Sequence, residues 1–91
     1  MNIENLLSML KIDLGITTNA FDDRLKQYLM AAEKFIKEEG GNPNPDDIQD
    51  QQLVVMYAAW TWRRRDTGEG MPRMLRYLLN NRVFHEALKD G

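Results

Sequence analysis

The chain has one histidine, His85, and no cysteine, so it lacks the side chains from which zinc sites are usually built. At its place near the end of the chain, His85 reads as a surface or partly packed residue. Asp46, Asp47 and Asp50 are a dense group of carboxylates. They do not follow the cation loop of an EF-hand, which alternates oxygen ligands around a mid-loop glycine and closes on a glutamate. They suit the start of a helix, where negative charge is favoured. Gly68-Glu69-Gly70 lacks the lysine and the Ser/Thr of a phosphate-binding loop and follows a helical segment, so it reads as a turn. The single serine, Ser8, lies in an apolar helix face with no base beside it. The acid pairs Asp22-Asp23 and Glu38-Glu39 fall at helix ends, where water solvates them. None of these sets combines a nucleophile, a base and a pocket. The sequence predicts no catalysis, no metal and no cofactor.

The arginines carry more information. Arg63, Arg64 and Arg65 are consecutive, and Arg73, Arg76 and Arg82 follow. Successive helical residues point about 100° apart, so the run of three spreads charge around its axis. Three readings compete. The cluster could contact nucleic-acid phosphates, with the third and fourth helices mimicking a helix-turn-helix. It could sit in a protein interface, where Arg and Trp are over-represented. It could also be a solvated helix end whose stems cover the tryptophans. Against the first stands the apolar content of the fourth helix, with Met74, Leu75, Leu78 and Leu79 and few side chains suited to reading base edges.

Helices must position these groups, because apolar residues recur at helical spacing and nothing alternates at period two. Ile3, Leu6, Leu7 and Leu10 predict a first helix over residues 3–12. Gly15 ends it, and Thr17-Thr18-Asn19 offer N-caps for the next. Phe21, Leu25, Tyr28, Leu29, Ala32, Phe35 and Ile36 form one face of a second helix, stopped by Gly40-Gly41. Met30 is the one apolar residue on its charged side. A loop over 40–47 precedes a third helix from Ile48 to Arg65. Gly68 and Gly70 end that helix, and Pro72 suits the first turn of a fourth. Beyond Asn80-Asn81 the tail, with Val83, Phe84, Ala87 and Leu88, predicts a last short helix or a docking arm. The expected fold is all-α: a small antiparallel bundle of four helices with a short C-terminal helix or arm, one domain over residues 1–91.

The third helix holds the run LVVMYAAWTW, Leu53 to Trp62, which contains no charge. A bilayer span needs about 20 apolar residues, so no membrane helix is expected. On a helical wheel Leu53, Tyr57 and Trp60 share one face, and Val55, Ala59 and Trp62 the opposite one. A surface helix has an apolar stripe on one side only. The sequence therefore predicts that Val55, Ala59 and Trp62 are covered by a second chain.

A chain of 91 residues buries only roughly 60–65% of its unfolded surface, so the core is modest. The lack of cysteine fits a reducing compartment or one where redox is irrelevant. The N-terminal residues lack a basic region, so no secretory signal is expected and the setting predicted is the cytoplasm of the producing cell. Net charge is −2, which argues against a protein built mainly to grip nucleic acid. Residues 1–50 carry five Lys/Arg and ten Asp/Glu, whereas residues 51–91 carry seven and four. An acidic half and a basic half can form two complementary surfaces, as head-to-tail self-association requires.

The text AAWTWRRRDTGEG followed by MPRMLRYLLNNRVF, in this order of elements, resembles the small head–tail connector proteins of tailed bacteriophages. The long second helix contains Ala31-Ala32-Glu33-Lys34-Phe35-Ile36, the third ends in an aromatic-then-Arg signature from Trp60 to Arg64, and Pro72 opens a helix with Leu78, Leu79 and Arg82. The likeness covers residues 3–84. The chain departs from the family pattern in its short turn at 66–71 and its brief tail after Arg82, which argues against an extended portal-grasping arm.

The resemblance implies a structural subunit that carries out no chemistry. It implies a head-to-tail ring of copies, a dodecamer in the virion, seated beneath the portal protein and joining capsid to tail. The next tail-completion protein would be a further partner. Phage DNA would pass through the central channel without sequence-specific binding, and no membrane is involved. The location implied is the head–tail junction of the virion, with the host bacterial cytoplasm during assembly. The residues expected to meet a neighbouring subunit or the portal are Met30, Val55, Ala59, Trp62, Arg63, Arg64, Arg65, Arg73, Arg76 and Arg82. The alternative is a small helical DNA-binding regulatory protein.

Overall fold

The computed structural model describes residues 2–90; Met1 and Gly91 lie outside the described residues. Four helices occupy them: α1 Ile3–Leu14, α2 Asp22–Glu38, α3 Ile48–Thr67 and α4 Arg73–Asp90, with no strand among the described residues. Lys11 pairs with Asp22 at 2.9 Å and Lys26 with Glu4 at 2.8 Å, so α1 and α2 run antiparallel. Phe35 stacks on Tyr57 while Phe21 meets Trp62, so α2 and α3 do too. The Trp60 indole N–H donates to the carbonyls of Glu69 and Gly70, at 3.3 and 3.1 Å, and so fixes the turn that sends α4 back along α3.

Local chemistry sets the helix ends. The Asn2 side chain accepts from the N–H groups of Glu4 and Asn5, and α1 closes on Gly15 in the left-handed region, φ 71°. The helix thus runs to Leu14, past the expected end at residue 12. The caps expected for α2 do not form. The Thr18 hydroxyl accepts from the Ala20 N–H, and the Asn19 side chain accepts from Lys11 Nζ at 2.9 Å. Phe21 takes the N-cap position of α2 without a side-chain bond. Asp47 caps α3 by accepting from Gln49 and Asp50, and Gly68 closes it at φ 66°. Pro72 precedes α4, its carbonyl accepting from the Arg76 N–H at 3.1 Å. α4 then runs unbroken through Asn80-Asn81, so a separate C-terminal helix or arm is replaced by one long element. Asparagine is a weak helix former but not a breaker, and packing overrides it.

α3 is the central element, packed by α1, α2 and α4. The core joins Leu6, Leu7 and Leu10 of α1, Leu25, Leu29, Ala32 and Ile36 of α2, and Leu75 and Leu79 of α4. From α3 come Leu53, Val54, Val55, Ala58, Ala59, Trp60 and Trp62. The expectation that Val55, Ala59 and Trp62 are left bare for a second chain is corrected. They are only 5%, 1% and 7% exposed, because three helices of the same chain surround α3. Two smaller corrections follow from burial. Ser8 is exposed and bonds back to the Glu4 carbonyl at 3.3 Å. Met74, expected on the inner face of α4, is 62% exposed.

Candidate interaction surface

The arginines of α3 are engaged within the chain. Arg63 pairs with Asp13 at 3.3 Å, tying the end of α3 to the end of α1. Arg64 lies over the Trp60 ring at 4.9 Å from its centroid, and Arg65 over Trp62 at 3.7 Å. These are cation–π distances, and the stems shield the two indoles from water. Arg65 also donates to the Trp62 carbonyl at 2.6 Å. Trp62 is held edge-on by Phe21 and Tyr28, with centroids 5.8 and 5.3 Å away. Burial raises the Tyr57 hydroxyl above its ordinary pKa, partly offset by the charge of Arg64.

Arg82 has a different role. Its Nε donates to Asp50 Oδ1 at 2.8 Å, its Nη1 to Glu86 at 2.8 Å, and its Nη2 to the Asn42 carbonyl. The second oxygen of Asp50 accepts from the Asn44 N–H at 2.7 Å. The bond to Asp50 is the main reason the guanidinium is raised above its usual pKa, while burial works against it. The bond from Arg82 is in turn the main reason Glu86 is lowered. This clasp joins the 40–47 loop to α3 and α4. Asp50 and Arg82 also line a groove of about 500 Å³ together with Leu53, Met56, Leu78, Asp47 and His85.

Asp50 is the residue that sequence reasoning missed. Helix-start chemistry accounts for it in the sequence, yet it lies in step with Leu53, Tyr57 and Trp60 on one face of α3 and is 4% exposed. A carboxylate on a core face is a signal for a buried cation, and that signal was present in the spacing.

The remaining expected residues stand free. Met30 is 62% exposed on the outer side of α2. Arg73 and Arg76 are exposed on α4 and enter none of the ion pairs formed among the described residues. The ten candidates therefore do not form one patch. Three are core, four are bound within the chain, and Met30, Arg73 and Arg76 face solvent. No group of three or more His, Cys, Asp or Glu side chains among the described residues could hold a metal ion. Among the described residues no helix is long and apolar enough to cross a membrane.

No curated protein and no solved structure matches the chain. The family model for the phage gp6-like head–tail connector protein matches residues 4–81. That span takes in α2, α3 and the turn clipped by Trp60, together with α4 as far as Asn81. The chain thus belongs to the phage gp6-like head–tail connector proteins, and its role is that of a structural connector of the phage virion.

Proposed function

We propose that the chain is one subunit of a head-to-tail ring, a dodecamer, seated beneath the portal and joining capsid to tail. The observation that carries this is the family match over residues 4–81. Two features support it. The first half of the chain is acidic and the second basic, as a repeated contact between unlike surfaces requires. Arg73 and Arg76 are unspent cations, suited to acidic side chains of a neighbour or of the portal. Since Val55, Ala59 and Trp62 are covered within the chain, the contacts we propose are two separate ones, Met30 on α2 and Arg73 with Arg76 on α4. Exposed parts of Arg63, Arg64 and Arg65 would add further contacts, with Arg82 holding α4 in place.

In this reading DNA passes through the channel without being read, and the next tail-completion protein docks on the far side of the ring. Subunits gather in the host cytoplasm before joining the virion. The test is assembly on purified portal, followed by native mass measurement and electron microscopy. Rings on the portal are expected, with at most weak, salt-sensitive affinity for DNA. A chain that stays monomeric with portal present and shifts a specific duplex sinks the connector reading and leaves the DNA-binding regulator.

A further inference from the structure

α4 is apolar on two opposite sides. Its inner side, with Leu75 and Leu79 at 1% and 4% exposure, lies against the bundle. On the other side Met74, Tyr77, Phe84 and Leu88 are 62%, 61%, 65% and 62% exposed. They are four of the eight large apolar side chains exposed among the described residues. Together with exposed Asn81 they follow steps of three, four, three and four residues. Scattered exposed apolar residues need no explanation. A stripe along α4 at this spacing has the a/d pattern of a two-stranded coiled-coil seam.

We infer that this stripe pairs with the same stripe of a second copy of the chain, α4 beside α4, parallel and in register. Asn81 decides the occupant and the direction. It sits mid-stripe at an a position, where a single polar residue sets register by meeting its own counterpart. Parallel, in-register pairing places Asn81 on Asn81, Tyr77 on Tyr77 and Phe84 on Phe84. Antiparallel pairing sets a positions against d positions, which leaves the Asn81 amide facing Phe84 or Tyr77 without a partner.

The flanks agree. Parallel pairing brings Arg73 opposite Leu78 and Asn80 opposite His85, so no like charges meet. Each bundle lies behind the inner side of its own α4, so the two bodies point away from one another. At the exposures given, the four side chains offer on the order of 500 Å² per copy and 1,000 Å² per pair, short of the ~1,200 Å² of stable complexes. The pair is therefore weak and concentration-dependent. It is isologous and closes at two, so it is a form of the free chain, separate from the ring and not dependent on that reading.

The test uses the full chain without portal. Sedimentation from about 10 μM to about 1 mM, the range suited to so small an interface, should show the mass rising from one chain to two and stopping. Tyr77→Glu and Phe84→Glu should keep the helical circular dichroism and melting temperature. Each should weaken pairing about tenfold or more, because a carboxylate would be buried unpaired. The chain has no cysteine, so Met74→Cys supplies a single thiol that parallel register sets against its counterpart. Mild oxidation should then give a covalent dimer. A mass fixed at one chain, growth beyond two, unchanged pairing in the glutamate variants, or no cross-link at Met74→Cys would each overturn the proposal. Assembly on portal is a separate measurement, so the pair and the ring can fail independently.

Discussion

Arg82 of α4 and Asp50 of α3 form an ion pair at 2.8 Å across thirty-two residues of chain. Asp50 is buried and Arg82 nearly so, with side-chain exposures of 6% and 15%. Removing Arg82 strands the Asp50 carboxylate, a change that costs about 3–5 kcal/mol for a buried pair, whereas removing Asp50 leaves Arg82 still paired with Glu86. Because Arg82 keeps some water, Arg82→Ala is expected near the lower bound, about 3 kcal/mol, and Asp50→Ala, which leaves the Glu86 pair in place, below it. Urea unfolding of both variants and of the double variant checks this. A coupling of about 1–3 kcal/mol is expected, and additive losses would show that the pair is not closed in solution.

The same clasp predicts an acid response. Glu86 is lowered, chiefly by its bond from Arg82. A carboxylate lowered in the folded state stabilises the fold above its ordinary pKa of about 4.3, and that contribution fades as pH falls through the lowered value. Stability of the parent chain should therefore drop more steeply below about pH 5 than that of Glu86→Gln. Denaturation midpoints at a series of pH values measure the difference. Parallel curves would mean that Glu86 does not bind Arg82.

Trp62→Ala separates core from interface. Large aromatic truncations in cores cost about 3–5 kcal/mol, comparable to the total stability of a domain this small. The free chain should lose its cooperative melt at ordinary temperature, whereas Trp62→Phe should retain it. A well-folded Trp62→Ala chain would contradict the packing against Phe21 and Tyr28.

Two glycines should behave differently. A Cβ on Gly41 would lie 2.8 Å from the Ile36 Cγ2 and 3.2 Å from the Ile36 carbonyl oxygen, while one on Gly70 would meet open space. Gly41→Ala should cost about 1–3 kcal/mol through overpacking. Gly70→Ala should be neutral, or stabilising by up to about 0.5 kcal/mol. Thermal melts of the two variants give the comparison directly.

Arg73→Gln with Arg76→Gln tests the proposed contact. Surface changes of this kind move stability by less than about 0.5 kcal/mol. Binding to portal should weaken, and the remaining binding should depend less on salt. Unchanged assembly would remove these two residues from the interface.

The four helices were legible because their apolar residues keep helical spacing, and the family was legible in the order of its motifs. The two-sided apolarity of α3 was legible too, in the charge-free run from Leu53 to Trp62. Its cause was not, since sequence cannot count the neighbours that surround a helix, and three of them come from the same chain. The Asp50–Arg82 pair stayed hidden because Asp50 had a sufficient local explanation beside Asp47. The continuous α4 stayed hidden because Asn80-Asn81 looks like punctuation. In both cases a contact distant in sequence decided the outcome.

Trp60 and Trp62 stand two positions apart on α3 but look into different neighbourhoods. One indole is tethered to the carbonyls of Glu69 and Gly70, and the other lies between Phe21 and Tyr28. The chain thus carries two optical gauges on one rod. With Trp62→Phe, the remaining emission tracks the turn that leads into α4. With Trp60→Phe, it tracks the seam where the first half of the chain closes over α3. Loosening of the last helix can then be timed against opening of the rest, with no label attached.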